Sequence, residues 1–291
     1  MRADGKRVKD ASAIVNAIPY IMPHRYDAQN CITEYADMEI LRRYIHEKRH
    51  QGIRLSYMAV ILAAYYKAYQ ENPKINRFVM NSKLYQRNHF CVSFMMLKTR
   101  ADGTPDETNI KLFITDEDDV ISIEQHIQQL VQQNLVKEHN NNTDKFANFM
   151  LALPLLPKLV IGLAKLLDRY GLLPRFIIDL SPFHTSLFIT NLASINTDAI
   201  YHHCYEFGTT GVFVAMGKPV PNYISGEHRK KLLPLKVVMD ERICTGHEYA
   251  QFYASLRRYL SHPELTERAR ETDAAERTED DAPAAVAAQG E

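Results

Sequence analysis

The spacing of apolar residues along the chain predicts several helices. Residues 10–18 have helical spacing, and we expect this helix to end before Pro19, because a residue that precedes proline avoids helical backbone angles. Asp37 is placed to cap a helix reaching about Arg49, in which apolar side chains recur three and four positions apart. Ser56 begins a segment that is apolar around most of its circumference, which predicts a buried helix.

Short runs rich in β-branched and aromatic residues predict strands between these helices. Two of the runs are joined by the turn-forming segment RADGTPDE, which predicts an antiparallel hairpin. Helical and extended segments alternate through long connections, so the predicted fold class is α/β. The predicted strands are residues 30–36, 77–80, 89–98, 109–115, 186–192, 211–216 and 235–239, and residues 120–138 add a further helix.

The last predicted helix has a recognisable start. Thr245, Gly246, His247 and Glu248 form a capping-box pattern, in which the threonine hydroxyl accepts a hydrogen bond from the third helical residue and the glutamate reaches back. Apolar side chains then recur at positions 249, 252, 253, 256 and 260, the stripe of a packed helix. A role in starting the helix would therefore be a sufficient reason for a threonine at position 245.

The amino-acid composition limits the classes to which the protein can belong. Of 291 residues, 46% are hydrophobic, which is ample for a buried core, and 35 basic residues balance 35 acidic ones. No basic run alternates with aromatic residues, which argues against nucleic acid as a partner. Cys31, Cys91, Cys204 and Cys244 lack metal-ligand spacing, so we expect no metal and a reducing, cytoplasmic location. The N-terminus also lacks the pattern of a signal peptide.

Two further segments have unusual composition. The stretch from Phe149 to Leu167 is the most apolar in the chain, but two prolines and two lysines interrupt it, so a membrane span is not expected. Packing in the core or against another copy, a wall for an apolar ligand, and contact with a membrane surface remain alternatives. We assign residues 1–263 to one folded domain, and expect residues 264–291, rich in acidic residues, to be disordered.

The segment VVMDERICTGHEYAQFY, residues 237–253, resembles a known family. It is similar to the end of the catalytic domain of dihydrolipoamide acyltransferases, the core subunits of 2-oxoacid dehydrogenase complexes, and of the related chloramphenicol acetyltransferases. There a strand leads into D-H-R-x-x-D-G. RVKDASAIVNAIPYIMPHRYDAQN resembles the family's opening helix, and LFITNLASIN and GVFVAMGKPV resemble its later T-x-S-N-L-G and A-I-L-x-x-G strands. The resemblance covers about residues 7–265.

The resemblance implies a chloramphenicol acetyltransferase-like fold, a mixed β-sheet flanked by helices, that works as a homotrimer. The active site would lie between subunits, with coenzyme A entering a channel from one side and the acyl acceptor from the other. In the family a histidine acts as general base, and a hydroxyl of the neighbouring subunit stabilises the oxyanion. We therefore expect an acyl-CoA thioester as substrate, and no lipoyl group on this chain.

Carried over position by position, the resemblance gives a mixed result. Thr190 takes the place of the oxyanion serine, so a hydroxyl is retained. Glu241 stands where the family has its histidine, and Thr245 stands where it has the second aspartate. The matching positions of the two motifs are Asn191, Asp240, Arg242 and Gly246.

Loss of the base normally lowers the rate by orders of magnitude, so three interpretations stay open. Glu241 acts as an altered base, which burial would favour because burial raises the pKa of a carboxylate. Alternatively Glu241 has a substrate-binding or hydrolytic role, or the chain is a catalytically inactive trimeric binding or scaffold protein of the same fold. Thr245 avoids like-charge repulsion beside Glu241. His247 is a further candidate base, although it points in another direction than the family's histidine.

Overall fold

The structure, a computed structural model, describes residues 2–99, 103–136, 156–222, 226 and 230–268. Ten strands and seven α-helices occur within these residues. The strands are β1 Gly5–Arg7, β2 Gln29–Asp37, β3 Arg77–Met80, β4 Lys83–Arg87, β5 Phe90–Thr99, β6 Pro105–Ile114, β7 Leu187–Asn191, β8 Val212–Met216, β9 Val220–Pro221 and β10 Lys231–Asp240. The helices are α1 Ala13–Ile21, α2 Met38–His50, α3 Tyr57–Glu71, α4 Val120–Val136, α5 Leu156–Tyr170, α6 Arg175–Leu180 and α7 Gly246–Ser261.

The central sheet is mixed, with the order β2, β10, β8, β7, β5, β6, and β9 pairs with the start of β10. β7 runs parallel to β5 and to β8, and the other pairs are antiparallel. The hairpin predicted across RADGTPDE is confirmed as β5 and β6. A smaller antiparallel sheet of β1, β4 and β3 was only partly predicted, since β1 and β4 were missed. The predicted fold class, a mixed sheet flanked by helices, is confirmed.

One face of the central sheet carries the main core. Leu187 and Ile189 of β7 pack there with side chains of α3, α4 and α7, whereas Phe188 belongs to a separate apolar cluster. Successive strand residues face opposite sides of a sheet, so the second cluster marks the face away from these helices. The predicted caps are confirmed: the side chain of Asp37 accepts from two backbone amides at the start of α2, and Ser56 accepts from Ala59 at the start of α3.

The predicted end of the first helix was wrong. α1 includes Pro19 and continues to Ile21, where Met22 N donates to Ile18 O at 2.8 Å. Proline removes only its own N–H from the hydrogen-bond ladder, and only two helical residues follow it. Pro19 is also buried, which offsets that cost.

Two predicted segments lie partly outside the described residues. Residues 149–155 of the apolar segment and residues 269–291 of the predicted tail are not described, while residues 264–268 continue the fold. Pro263–Thr266 forms a 3-10 turn in which Thr266 is fully buried. Residues 156–167 lie in α5. In the described part of the chain, no helix is long and apolar enough to cross a membrane.

A buried cluster of charges ties the N-terminus to distant parts of the fold. Arg2 donates to Asp4 at 2.9 Å and to Asp168 at 2.7 Å. Asp168 also lies 3.1 Å from His184 Nε2, and Asp4 lies 3.8 Å from Arg87 Nη1. Burial opposes ionisation of the two carboxylates, but hydrogen bonds and positive charge from Arg2 and His184 outweigh it. The pKa values of Asp4 and Asp168 are therefore lower than usual.

We expect Asp4→Asn to lower the free energy of unfolding at pH 7 by about 3 kcal/mol, because it leaves buried Arg2 and Arg87 short of negative charge. A carboxylate whose pKa is lower in the folded chain contributes stability above about pH 4 and loses it as the pH falls. Urea unfolding from about pH 7 to pH 3 should therefore show a weaker pH dependence in the variant.

The exposed Asp198, which pairs with Lys218, offers the matched control. Asp198→Asn should change the free energy of unfolding by about 0.5 kcal/mol or less. Equal stability of Asp4→Asn and the unaltered protein at neutral pH would contradict the importance of the cluster.

Candidate active site

Asp240 lies at the end of β10, and its carboxylate is enclosed by two arginines. Arg242 donates through Nε and Nη2, each at 2.8 Å, and Arg25 donates through Nε at 3.3 Å. Arg242 Nη1 reaches the carbonyls of Met22 and Pro23, each at 3.1 Å. Asp240 and Arg242 are buried, so these two matching motif positions hold the loop in place.

Arg25 was not among the predicted site residues. Besides Asp240 it donates to the carbonyls of Gly208, at 3.2 Å, and Tyr205, so it joins the N-terminal segment to the loop before β8. Arg25 comes directly after Pro23 and His24 in the segment MPHRYD. Nothing in that local sequence indicates whether the arginine is buried or exposed, so the sequence did not reveal its role.

Glu241 is exposed, in contrast to Asp240 and Arg242 on either side of it. Its backbone N–H donates to Ala28 O at 2.7 Å, which anchors the main chain. Its carboxylate makes no hydrogen bond or ion pair with any residue that the structure describes. The burial that would favour Glu241 as a base is thus absent in the single chain.

The other candidates of this motif lie at the start of α7. The capping box is confirmed: Thr245 accepts from Glu248 N at 3.3 Å, and Glu248 accepts from Thr245 N at 2.9 Å. A side chain at Gly246 would meet no atom within 4 Å, so packing in this chain does not require glycine there. His247 is exposed in the first helical turn, and its ring has no hydrogen-bond partner in the described ranges.

Thr190 and Asn191 close β7 and line a cavity of about 320 Å³. Most of its wall is apolar, with side chains from α3, α4, β5 and the turn after β7: Met58, Phe94, Met96, Val131, Leu192 and Ile195. Asn191 accepts from Ser194 N at 3.2 Å and so caps that turn. The half-buried Thr190 hydroxyl has no hydrogen-bond partner among the described residues, which leaves it free for a ligand.

Thr190 and Glu241 lie at opposite ends of the central sheet. Thr190 pairs with Ala215 on β8, and Ala215 pairs with Lys236 on β10, five residues before Glu241. At about 3.3 Å per strand residue and 4.8 Å between strands, the two side chains are roughly 15–20 Å apart. One chain therefore cannot bring them together, and a site that uses both requires two copies.

A second cavity, of about 350 Å³, lies beside the motif loop. Its wall includes Arg25, Arg242 and Glu206, with Lys165, Asp168 and Arg169 from α5. Lysine and arginine side chains outnumber acidic ones in this wall, four to two. In the described part of the chain, no group of three or more histidine, cysteine, aspartate or glutamate side chains is arranged to hold a metal.

We expect Thr245→Ala to lower the free energy of unfolding by about 1 kcal/mol, because the first turn of α7 loses its cap. Thr245→Asp, which introduces the residue found in the related motif, should keep most of the stability, since aspartate also caps helices. Urea unfolding of the two variants would measure the difference. Equal losses in both would show that capping is not the role of this side chain.

Comparison with protein-family models, and with the sequences of curated proteins, gives no match. Solved structures do match in fold. The cubic core of the pyruvate dehydrogenase multienzyme complex matches with TM-score 0.52 and 14% identity, over 87% of this chain and 91% of that one. A probable dihydrolipoamide acetyltransferase from Listeria monocytogenes matches with TM-score 0.53 and 14% identity, over 91% of this chain and 98% of that one.

Chloramphenicol acetyltransferase matches with TM-score 0.54 and 11% identity, over 88% of this chain and 99% of that one. At such low identity the likeness concerns the fold and not the chemistry. The coverage is nearly complete on both sides, so the match describes the whole domain rather than a shared motif. The chain has the fold of the 2-oxoacid dehydrogenase acyltransferase cores and of chloramphenicol acetyltransferase.

Proposed function

We propose that the protein is a coenzyme A-dependent acyltransferase whose active site forms between two copies of the chain. One observation carries this proposal: the Thr190 hydroxyl and the Glu241 carboxylate, which have no partners among the described residues, lie at opposite ends of one sheet. A cyclic assembly joins unlike ends of neighbouring copies, so it would place them together. Two structural neighbours are named as acetyltransferases, which supports the reaction class.

The assembly in this proposal is a homotrimer, packed through the exposed edges of the sheet face opposite the main core. The middle of that face is already covered, by Cys204 and by the ring of His202 on Phe213. Strand alternation places four apolar side chains on that face, each 38–56% exposed: Met95, Leu97 and Phe113 near the edge formed by β5 and β6, and Tyr35 on β2 at the other edge. Exposed apolar side chains on a sheet face are typical of a surface that another protein covers. One structural neighbour forms the cubic core of a multienzyme complex, which supports assembly for chains of this fold.

The proposed reaction transfers an acyl group from sulfur to an acceptor. Glu241 of one copy accepts the acceptor's proton, and the acceptor oxygen, nitrogen or sulfur attacks the thioester carbonyl. Thr190 of the next copy donates a hydrogen bond to the oxyanion that forms. The intermediate then expels the coenzyme A thiolate, which takes the proton from Glu241. The apolar cavity at Thr190 would receive an acyl chain, and the protein would work in the cytoplasm, where its four free cysteines stay reduced.

A second candidate function is a trimeric binding or scaffold protein without turnover. The exposed position of Glu241 favours it, because no described residue of its own chain pairs with the carboxylate or fixes its direction. Such a protein would retain affinity for coenzyme A or an acyl thioester while releasing no thiol. Calorimetry with coenzyme A, beside a thiol-release assay, separates the two candidates.

In a thiol-release assay over acyl-CoA substrates of increasing chain length, we expect Glu241→Gln to lower kcat by about 100-fold or more, because the base is lost. Thr190→Ala should lower kcat by about 100-fold, whereas Thr190→Ser, which keeps the hydroxyl, should stay near the unaltered rate. His247→Gln serves as the control, with an unchanged rate. Equal activity of the unaltered protein, Glu241→Gln and Thr190→Ala would contradict the proposal.

Mixing the two inactive variants tests whether the site is shared. Glu241→Gln chains still supply Thr190, and Thr190→Ala chains still supply Glu241, so a mixed assembly contains some intact sites. After unfolding and refolding together in equal amounts, we expect about a quarter of the unaltered activity, since each site draws one residue from each of two copies. Activity no higher than that of either variant alone would contradict a site that takes one residue from each of two copies.

A further inference from the structure

Helix α5 presents its apolar side to solvent. Leu159, Leu163, Leu166 and Tyr170 recur at spacings of four, three and four, so they form one stripe along the helix. They are 68%, 56%, 52% and 63% exposed. The buried Asp168 lies two residues from both Leu166 and Tyr170, which places it nearly opposite on a helix of 3.6 residues per turn. The stripe therefore faces directly away from the protein.

A row of cations runs beside this stripe. Lys158, Lys165 and Arg169 each precede a stripe residue by one position, so they share one flank of the helix, and all three are exposed. Neither lysine has an acidic partner within the described residues, and Arg169 donates only to the neutral side chain of Asn81, at 3.1 Å. Asp168 is turned inward to Arg2 and cannot neutralise the row.

The exposed apolar surface continues beyond α5. Leu172, Phe176 and Leu180 follow in the next turn and in α6, and they are 68%, 65% and 74% exposed. The cation of Arg175 between them is paired at 3.5 Å with Asp179. Leucines and aromatic side chains on this surface therefore lie next to cations that have no acidic partner among the described residues.

We propose that α5 docks the protein on the surface of a bilayer that contains anionic phospholipid. The apolar stripe would enter the boundary between headgroups and acyl chains, and the lysines and arginine would meet lipid phosphates, as in other amphipathic helices that lie in the plane of a membrane. This proposal is independent of the proposed acyl transfer, because the α5 stripe shares no residue with the catalytic site or with the sheet face proposed to join copies.

Charge complementarity favours lipid over a second copy of the chain as the occupant. Two α5 helices packed face to face and antiparallel would bring their cation rows to the same side of the contact, where like charges repel. An anionic bilayer pairs the same rows with phosphate. Lys165 and Arg169 also line the cavity beside Arg242, so docking would place that cavity at the level of the lipid headgroups.

The chain contains no tryptophan, which allows a direct optical test. Leu163→Trp introduces a single tryptophan in the stripe, and Leu135→Trp introduces one at a similarly exposed position of α4, 51% against 56%. On titration with vesicles of phosphatidylcholine and phosphatidylserine at a ratio of about 7:3, in moderate salt, we expect a blue shift for Leu163→Trp and none for Leu135→Trp. Pure phosphatidylcholine vesicles should give a much smaller response, because the cations then meet no net charge.

Vesicle co-sedimentation measures the partition coefficient of two further variants. Lys158→Gln, Lys165→Gln and Arg169→Gln together should lower it on the order of 100-fold, at roughly fivefold per cation. Leu159→Gln with Leu166→Gln should lower it by at least roughly tenfold, through loss of apolar burial. All five side chains are exposed, so thermal unfolding should be unchanged in both variants.

Three results would overturn the proposal. The first is no binding to the anionic vesicles, and the second is binding that both variants retain in full. The third is a loss of oligomers in the leucine variant, by light scattering, without vesicle binding of the unaltered protein. That last result would assign the stripe to a second copy of the chain.

Discussion

The carboxylate of Asp240 is the interaction on which the candidate site depends. Held by Arg242 and Arg25, it joins the end of β10 to the N-terminal segment and to the loop before β8. A buried carboxylate between two buried guanidinium groups is stable only while all three are present, because each charge left alone would be costly. The network fixes the backbone from which Glu241 projects, and the capped helix α7 begins five residues later. Because the Asp240 network holds this backbone in place, the Glu241 side chain stays directed outward.

Local chemistry made much of the fold predictable. Asp37, Ser56 and Thr245 cap helices through bonds to amides two or three residues away, so a short stretch of sequence contains the whole interaction. The hairpin of β5 and β6 follows from a turn between two strand-like runs. In contrast, β1 and β4 are short and largely polar strands, without the apolar alternation that marks a half-buried strand.

The parts of the site that could not be predicted depend on contacts between distant residues. Arg25 reaches Asp240 across 215 positions, and Arg2 reaches Asp168 across 166. Charged residues are rarely buried, so nothing in the local sequence marks these as interior. Predicting the distance between Thr190 and Glu241 would also have required the strand order and register of the sheet, and neither follows from the motifs themselves.

Two surfaces of the protein then acquire separate roles. The exposed edges of the sheet face opposite the main core are suited to another copy of the chain, whereas the α5 stripe, with its cation row, is suited to lipid. Both surfaces expose apolar side chains, and α5 places beside them a row of three exposed cations that lack acidic partners in the described structure. An acyltransferase held at a membrane would meet acyl thioesters and acceptors that partition into the bilayer.

The most direct test of a site shared between copies is an experimental structure of the assembled protein, with the distance measured from the Glu241 carboxylate of one copy to Thr190 Oγ1 of the next. We expect both groups to line one channel, separated by roughly 3–6 Å, the reach of a hydrogen bond or of one bridging water. A monomer, or an assembly in which every Glu241 stays as far from every Thr190 as within one chain, would contradict the shared site.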